Sequence, residues 1–325
     1  MKNVFRLFIS CSFLVLLLRT SYADYKQAVQ YYYQGKYDKA IQELKPDLDA
    51  NPDWETGHRL VGLCYLNLKN NALAVSSLTR AVQLKSTAFS TYFGLGQAYF
   101  NMQKYDYCVL ALNQGEPFLA KENTKDQDNL RYGLYHLRGA AQYRLGKYND
   151  AANDYTAALR IKQADWVDFS ELGFAYYSLN RFDEAIQALQ KAASMKPGQA
   201  AVTETIGKAY FRKGVEALKV KQYSQAVESF TKAKEYNPSD AYISANLGEA
   251  YIFQKRFPEA EKALAQALVA LPNSADVYMR MGLAFEMQKK WDLALNAYKN
   301  ANQLNPAYGQ KDIDRVTENK KAVTK

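Results

Sequence analysis

The sequence has few of the residues that most enzyme chemistry uses. Its 325 residues include three cysteines, two histidines and eight prolines. The histidines, His58 and His136, are far apart, and neither has a cysteine or glutamate nearby at metal-ligand spacing. No glycine-rich phosphate loop and no GxSxG nucleophile turn occurs. We therefore predict that the protein is not an enzyme and that it uses no metal and no cofactor.

A strong excess of one charge is also missing. The chain has 42 basic and 33 acidic residues, which gives a formal net charge of +9. Proteins that bind nucleic acid concentrate lysine and arginine on one face far more densely. We therefore predict a protein or peptide partner rather than a nucleic acid.

Long apolar runs are absent except at the start of the chain. Basic residues precede a mostly apolar run from Leu7 to Leu18, and Ser21 and Ala23 are small residues where a signal peptidase reads. We predict that residues 1–23 are a secretory signal that is cleaved after Ala23. An uncleaved anchor is the alternative, but the run is shorter than the ~20 apolar residues that a bilayer needs. No later run is long enough, so we predict no integral membrane segment after cleavage.

The rest of the chain contains a repeated pattern, which is most complete between Trp166 and Gln199. Small and apolar residues there fall on one face of each of two helices, and Asn180 and Arg181 stand between the two runs, where a short turn belongs. The first face carries Phe169, Leu172, Gly173, Ala175 and Tyr176, and the second carries Phe182, Ala185, Leu189 and Ala192. The stretch is therefore predicted to form an antiparallel helical hairpin.

The same pattern recurs along the chain. The glycine place is taken by Ala28, Gly62, Gly96, Gly139, Gly173, Gly207, Gly248 and Gly282. The small place of the second helix is taken by Ala40, Ala74, Cys108, Ala151, Ala185, Ala226, Ala260 and Ala294. Prolines stand near the ends of five units. The pattern resembles that of the tetratricopeptide repeat family, whose unit is about 34 residues long. It consists, in order, of an aromatic residue, Leu-Gly, Tyr, Ala, Leu and Pro.

This resemblance implies an all-α, right-handed superhelical solenoid of about eight antiparallel helix pairs. We divide it into units 1–3 (24–122), a polar insertion (123–131), units 4–8 (132–308), and a capping helix with a frayed tail (309–325). Cys64 and Cys108 both occupy places for small residues, so we expect buried, unpaired thiols, with a disulfide as the alternative.

Three places depart from the regular spacing. Gly115 and Pro117 predict that the second helix of unit 3 breaks or bends early. The surplus 123–131 predicts a loop, either a hinge or a rigid one. In unit 6 the second helix begins seven residues late after Gly207, so we expect a first helix about two turns longer that projects from one edge of the stack.

The resemblance further implies that the first helices line a concave groove that binds segments of other proteins. One ligand mode of the family grips a C-terminal carboxylate with lysine and asparagine, but the matching places here hold Arg59, Leu63, Phe93, Gln97, Ser170 and Phe174, so we reject it. We predict a scaffold of the cell envelope that binds an extended or helical segment of a partner. The alternative is an obligate accessory subunit of a secretion, pilus or cell-wall assembly machine. The export signal places it in the periplasm or, as an alternative, outside the cell.

Two groups of residues are candidates for the groove. The first follows the usual tyrosine of each unit and contains Tyr32, Leu66, Phe100, Tyr143, Tyr177, Phe211, Ile252 and Glu286, with Phe93, Phe174, Tyr242 and Tyr278 as possible extensions. These side chains either face the groove or pack between first helices. The second group, Lys208, Arg212 and Lys219, forms a basic stripe that either meets an acidic stretch of the partner or is only solvated.

Overall fold

The computed structural model describes residues 24–120, 126–162 and 166–323. The predicted signal therefore lies outside the described residues. Within these ranges the chain is all helical, with seventeen helices and no strand. It divides between Asp168 and Phe169 into two compact units, each built from consecutive helix pairs that pack on one another. The predicted all-α fold of helix pairs is confirmed.

Eight helices make up the first unit. They are α1 (24–33), α2 (Tyr37–Ala50), α3 (Glu55–Asn67), α4 (Asn71–Gln83), α5 (Phe89–Asn101), α6 (Tyr105–Leu119), α7 (Gln127–Arg144) and α8 (Tyr148–Ile161). The helices α3, α5 and α7 also contact one another in order, so the first helices of successive pairs form one layer.

The second unit has the same construction. After α9 (Trp166–Ser178), which begins at the end of the first unit, its helices are α10 (Phe182–Met195), α11 (Ala200–Lys219), α12 (Tyr223–Tyr236), α13 (Ala241–Phe253), α14 (Phe257–Ala270), α15 (Ala275–Met287), α16 (Trp291–Leu304) and α17 (Gln310–Val323). Here α11, α13 and α15 contact one another in order.

A left-handed residue ends the first helix of every pair. Such a residue closes a Schellman motif, which satisfies the last carbonyls of the helix. In the α9–α10 pair, Asn180 has φ +59° and its N–H donates to the carbonyl of Tyr177, while Arg181 N–H donates to the carbonyl of Tyr176 at 2.9 Å. The turn predicted at these two residues is confirmed. The equivalent residues elsewhere are Gly35, Lys69, Gln103, Gly146, Lys221, Lys255 and Lys289.

In every pair but the first, which has Ala28 at this place, a repeat glycine brings the two helices into contact. A Cβ on Gly173 would lie 2.5 Å from Leu189 Cγ, so the leucine of the second helix sits directly on the glycine. The same contact joins Gly62 to Leu78, Gly96 to Leu112, Gly139 to Tyr155, Gly248 to Leu264 and Gly282 to Tyr298. The partner is always the sixteenth residue after the glycine. This contact defines the register of each repeat.

By this criterion the predicted register of unit 6 is wrong. A Cβ on Gly214, and not on Gly207, would meet Phe230, at 2.6 Å from its ring. Gly207 instead lies against Asn237 and Tyr236 near the end of α12. The seven extra residues therefore precede the repeat glycine. The last turns of α11 do not project from the stack, because Gly214 and Ala217 are buried against the second helix and its neighbours.

The other two irregular places also differ from the prediction. The second helix of unit 3 does not break early, since α6 runs through Pro117 to Leu119. Gly115 is buried there because its missing Cβ leaves room for Tyr92 of α5. Residues 127–131 are not loop but the first turns of α7, and 121–125 lie outside the described residues. The described part of this surplus and the extra residues of unit 6 thus each lengthen the start of a first helix.

A buried ion cluster links three helices of the first unit. Arg138 of α7 donates to both carboxylate oxygens of Asp154 on α8, at 2.8 and 2.9 Å. Its remaining amino group donates to Glu116 at 2.6 Å and to Asn113 at 2.8 Å, both on α6. The side chains of Arg138 and Asp154 are only 12% and 9% exposed. Burial of so complete a network makes each member depend on the others.

The final helix α17 covers the end of the second unit, as the predicted cap does. Val316 is fully buried on Ala294 and Tyr298. The helix also extends beyond the predicted cap, and the side chain of Lys320, predicted to be frayed, pairs with Asp292.

A charged contact fixes this cap. Arg315 donates to both carboxylate oxygens of Glu286, at 2.9 and 2.7 Å, and Tyr298 donates to the same group at 2.7 Å. Burial opposes ionisation of Glu286, but the hydrogen bonds from Arg315 and Tyr298 outweigh it and lower its pKa. The last member of the predicted groove column is therefore part of the cap contact.

We expect the cap to loosen in acid. A carboxyl whose pKa is lowered on folding stabilises the folded state above its ordinary pKa of about 4.3, and this contribution is lost as the pH falls through the folded value. Arg315 is half exposed, so water screens the contact and its loss should cost about 1 kcal/mol. Thermal melts between pH 7 and pH 3 should show a smaller fall in Tm for Glu286→Gln than for the unchanged protein. Glu318→Gln, at an exposed site on α17, is the control; identical curves for the unchanged protein and Glu286→Gln would contradict the assignment.

The two described cysteines lie in the core. Cys64 and Cys108 are fully buried free thiols, and burial raises the pKa of each to about 12. The expectation of unpaired thiols is confirmed. Across the described part of the chain, no helix is both long and apolar enough to cross a membrane.

Candidate protein-binding surface

The predicted aromatic column lies at the turn of each helix pair. Four of its rings are half-buried, and each of these four contacts the aromatic residue that begins the second helix of its own pair. The pairs are Tyr32 with Tyr37 at 5.6 Å, Phe100 with Tyr105 at 5.4 Å, Tyr143 with Tyr148 at 5.2 Å and Tyr177 with Phe182 at 5.9 Å between centroids. These rings therefore stabilise the hairpins. That they also contact a partner stays a prediction.

Two members of the column have other surroundings. Ile252 is fully buried. Phe211 belongs to a different place, because in the register set by Gly214 the column residue of α11 is Leu218. The ring of Phe211 instead packs on buried Phe230 at 5.7 Å.

The four extensions of the column divide into packed and exposed residues. Phe93 stacks on Phe89 at 5.5 Å and lies against Gly133 of α7. Phe174 packs against the main core of the second unit, and Tyr278 is half-buried. Tyr242, at the start of α13, is 63% exposed. It is the extension most accessible to a partner.

The basic stripe of α11 is exposed. Lys208, Arg212 and Lys219 all lie on the surface, and Lys208 forms an ion pair with Glu204 at 2.6 Å. The hydrogen bond with Glu204 raises the pKa of Lys208. Within the described residues, neither Arg212 nor Lys219 forms an ion pair, so both charges are available to a partner.

Exposed rings on α13 occupy the same repeat positions as this stripe. Tyr242 is 34 residues after Lys208, and Phe253 is 34 residues after Lys219. The two helices contact each other. Phe253 is 40% exposed and stacks on Tyr223 at 5.0 Å. We call these two rings, together with Lys208, Arg212 and Lys219, the basic–aromatic face.

Sequence reasoning missed Phe253, although its position directly after Ile252 was a usable signal. A residue next to a buried column member lies about 100° further round the helix. In α13 this rotation moves the side chain from the core to the surface.

The histidines have structural partners. His58 Nε2 lies 2.8 Å from the carbonyl oxygen of Pro52. His136 Nδ1 lies 2.5 Å from the carboxylate of Asp168, which is fully buried and also accepts a hydrogen bond from Tyr132 at 2.7 Å. In the ranges that the structure describes, no group of three or more His, Cys, Asp or Glu residues is placed to hold a metal ion.

Family models match both units of the chain. Models described as tetratricopeptide repeat match residues 25–89, 217–282 and 276–307, and one described as TPR repeat matches 173–214. Together they cover more than half of the 325 residues. The chain belongs to the tetratricopeptide repeat family. Proteins of this family are protein-interaction scaffolds. This chain has the same architecture of packed helix pairs.

Two curated relatives match parts of this tetratricopeptide repeat protein. Human Tetratricopeptide repeat protein 4 is 29% identical over 132 residues, which cover 41% of this chain and 33% of the relative. Hsp70-Hsp90 organizing protein 2 of Arabidopsis thaliana is 35% identical over 60 residues, which cover 18% of this chain and 10% of the relative. The match thus spans a third or less of either relative.

Solved structures of tetratricopeptide repeat proteins are also similar. The C-terminal part of a TPR repeat-containing protein from Cytophaga hutchinsonii has a TM-score of 0.46 and 18% identity, and the match covers 89% of this chain and 98% of that one. A structure of MamA has a TM-score of 0.42 and 25% identity, over 55% of this chain and 93% of that one.

Proposed function

We propose that this protein is an exported scaffold of the cell envelope, with the periplasm as its compartment. It binds an extended or helical segment of a partner protein on the faces of its first helices. The basic–aromatic face carries this proposal, because it exposes two rings and two cations that have no ion pair within the described residues. Aromatic side chains and arginine are enriched in protein-binding sites, and this face exposes Tyr242, Phe253 and Arg212.

The chemistry of the face indicates the kind of segment that it binds. Tyr242 and Phe253 offer apolar area, while Lys208, Arg212 and Lys219 supply positive charge on the neighbouring helix. A segment with acidic residues beside apolar ones complements both. Charge complementarity of this kind speeds association and makes binding sensitive to salt.

Removing the charges should weaken capture of the partner. The test compares the variant Lys208→Ser, Arg212→Ser, Lys219→Ser with the control Lys191→Ser, Lys262→Ser, Lys299→Ser, which removes three exposed lysines of second helices. Immobilised proteins are exposed to envelope extract at several salt concentrations, and retained proteins are quantified by mass spectrometry. We expect at least a roughly tenfold loss of the salt-sensitive partner with the first variant only. If both variants retain the partner equally, the basic stripe is only a solvated face.

Export predicts a defined start of the mature chain. The full-length gene product, expressed in its own host, should yield a protein that begins at Asp24, because Ser21 and Ala23 fit the signal peptidase pattern. Intact mass of the protein from the envelope fraction measures this directly. A chain that retains Met1 would sink the proposed localisation.

A further inference from the structure

The α11–α12 pair lacks a contact that the other pairs of the second unit share. In those pairs, the ring three residues after the repeat glycine lies under a cationic side chain at the end of the turn. The contacts are Tyr176 with Arg181 at 4.4 Å, Tyr251 with Arg256 at 4.5 Å and Phe285 with Lys290 at 5.7 Å from ring centroid to cation. Counted from Gly214, the same two positions of α11–α12 are Ala217 and Gln222. This pair has therefore lost both the ring and the cation.

A cavity occupies the place of the missing side chains. It has a volume of about 410 Å³ and lies between the turn of the α9–α10 pair and the turn of the α11–α12 pair. Phe182 and Ala217 are buried residues of its lining, and Val220, which is 64% exposed, stands at the edge. Sites that bind small organic groups have volumes of about 300 Å³ or more. The cavity is therefore large enough for an aromatic ring.

The charges around the cavity are not balanced. Arg181 is held by Glu184 at 2.8 Å, and Lys213 pairs with Asp183. The fifth charged residue of the lining, Glu216, is exposed and makes no ion pair within the residues that the structure describes. Phe182 and Ala217 thus form a small apolar floor within a mostly polar lining, in which Glu216 is the one charged side chain without an ion pair in the described part of the chain.

We propose that this cavity binds an aromatic side chain of a partner that is followed or preceded by a positive charge. The partner supplies the ring and the cation that this helix pair lacks: the ring enters between Phe182 and Ala217, and the cation meets Glu216. The floor of the site lies on a different face of α11 from the basic–aromatic face, and Glu216 stands at the border, four residues after Arg212 and three before Lys219. Lys213, Ala217 and Val220 recur at spacings of four and three, which places them together on a face of α11 other than that of Lys208, Arg212 and Lys219.

Tyramine, a phenol ring with an ammonium group, is a suitable probe, and 4-hydroxyphenylacetate, with the same ring and a negative charge, is its counterpart. Titration of the isotope-labelled protein should shift the methyl resonances of Ala217 and Val220 saturably, with a Kd on the order of a millimolar for a ligand of roughly ten heavy atoms. We expect 4-hydroxyphenylacetate to bind at least about threefold more weakly. Equal or tighter binding of 4-hydroxyphenylacetate would overturn the proposed cation preference.

Filling the cavity should abolish this binding. The variant Ala217→Tyr, Gln222→Arg restores the ring and cation of the neighbouring pairs, so it should melt no lower than the unchanged protein and bind tyramine at least about tenfold more weakly. Glu216→Gln should weaken tyramine but leave uncharged 4-cresol unaffected. If the double variant does not fold, tyramine binding is measured with Ala217→Leu, which fills the floor of the cavity. Unchanged tyramine binding by this variant would refute the site. Capture through the basic–aromatic face is measured separately, so failure of either proposal is visible without the other.

Discussion

Replacing Arg138 with alanine should lower the free energy of unfolding of the first unit by about 3–5 kcal/mol. The change removes four hydrogen bonds and leaves Asp154 as a buried carboxylate without its cation. An isolated buried charge is far more costly than the loss of an exposed pair. Urea unfolding, followed by circular dichroism, measures the effect.

Two further variants separate charge burial from simple loss of contacts. Arg131→Ala removes an exposed arginine from the same helix, whose ion pair with Asp128 spans 3.9 Å, and should change stability by no more than about 0.5 kcal/mol. Arg138→Met combined with Asp154→Leu removes both charges and should recover much of the loss. If Arg138→Ala were no more harmful than Arg131→Ala, the cluster would not hold these helices together.

Gly214→Ala should destabilise the second unit, whereas Gly207→Ala should be close to neutral. The new methyl group at Gly214 would lie 2.6 Å from the ring of Phe230, which is fully buried and has no room to move. Overpacking of this kind costs about 1–3 kcal/mol. At Gly207 the nearest atom, at 2.4 Å, belongs to the flexible amide of half-buried Asn237. Both changes gain up to about 1 kcal/mol of helix propensity, so the difference between them reports the contact.

Thermal melts of the two variants therefore test the register of the sixth repeat. A loss of about 1 kcal/mol shifts the Tm of a unit of this size by roughly 2–4 °C, so the variants should be readily distinguished. A lower Tm for Gly207→Ala than for Gly214→Ala would restore the register predicted from the sequence.

The sequence predicted the helix pairs well because their signal is local and repeated. Gly173, Leu189 and the turn at Asn180 lie within one unit, and each recurs at the same spacing along the chain. The small residues are needed wherever two helices touch, so their period directly reports the packing. Cys64 and Cys108 were predicted correctly for the same reason, since they stand where only a small side chain fits.

The wrong predictions concern places where tertiary contacts decide. Gly207 and Gly214 lie seven residues apart on the same helix. Only the contact with Phe230 shows that Gly214 is the repeat glycine. Gly115 and Pro117 were expected to break or bend the helix early, but α6 continues to Leu119, and Gly115 packs there against Tyr92 of α5.

Surface chemistry was the least predictable part of the candidate site. The aromatic column does recur at the repeat spacing, but four of its rings contact the second helix of their own pair. The pattern of one helical face does not show which residues of the other helix lie next to it. The equivalence of Phe253 with Lys219 and the cavity beside Ala217 depend on the corrected register. They become visible only when equivalent positions of successive repeats are compared in three dimensions.

Site-specific photocrosslinking in the native host tests the central claim most directly. A photoreactive phenylalanine derivative at Tyr242, on the first-helix face, is compared with the same group at Val269, which is 85% exposed on the second helix α14. Both sites are apolar and accessible, so they differ mainly in the face that they occupy. We expect a discrete crosslinked partner from position 242 and none from position 269. A partner crosslinked from position 269, with none from position 242, would contradict binding on the first helices.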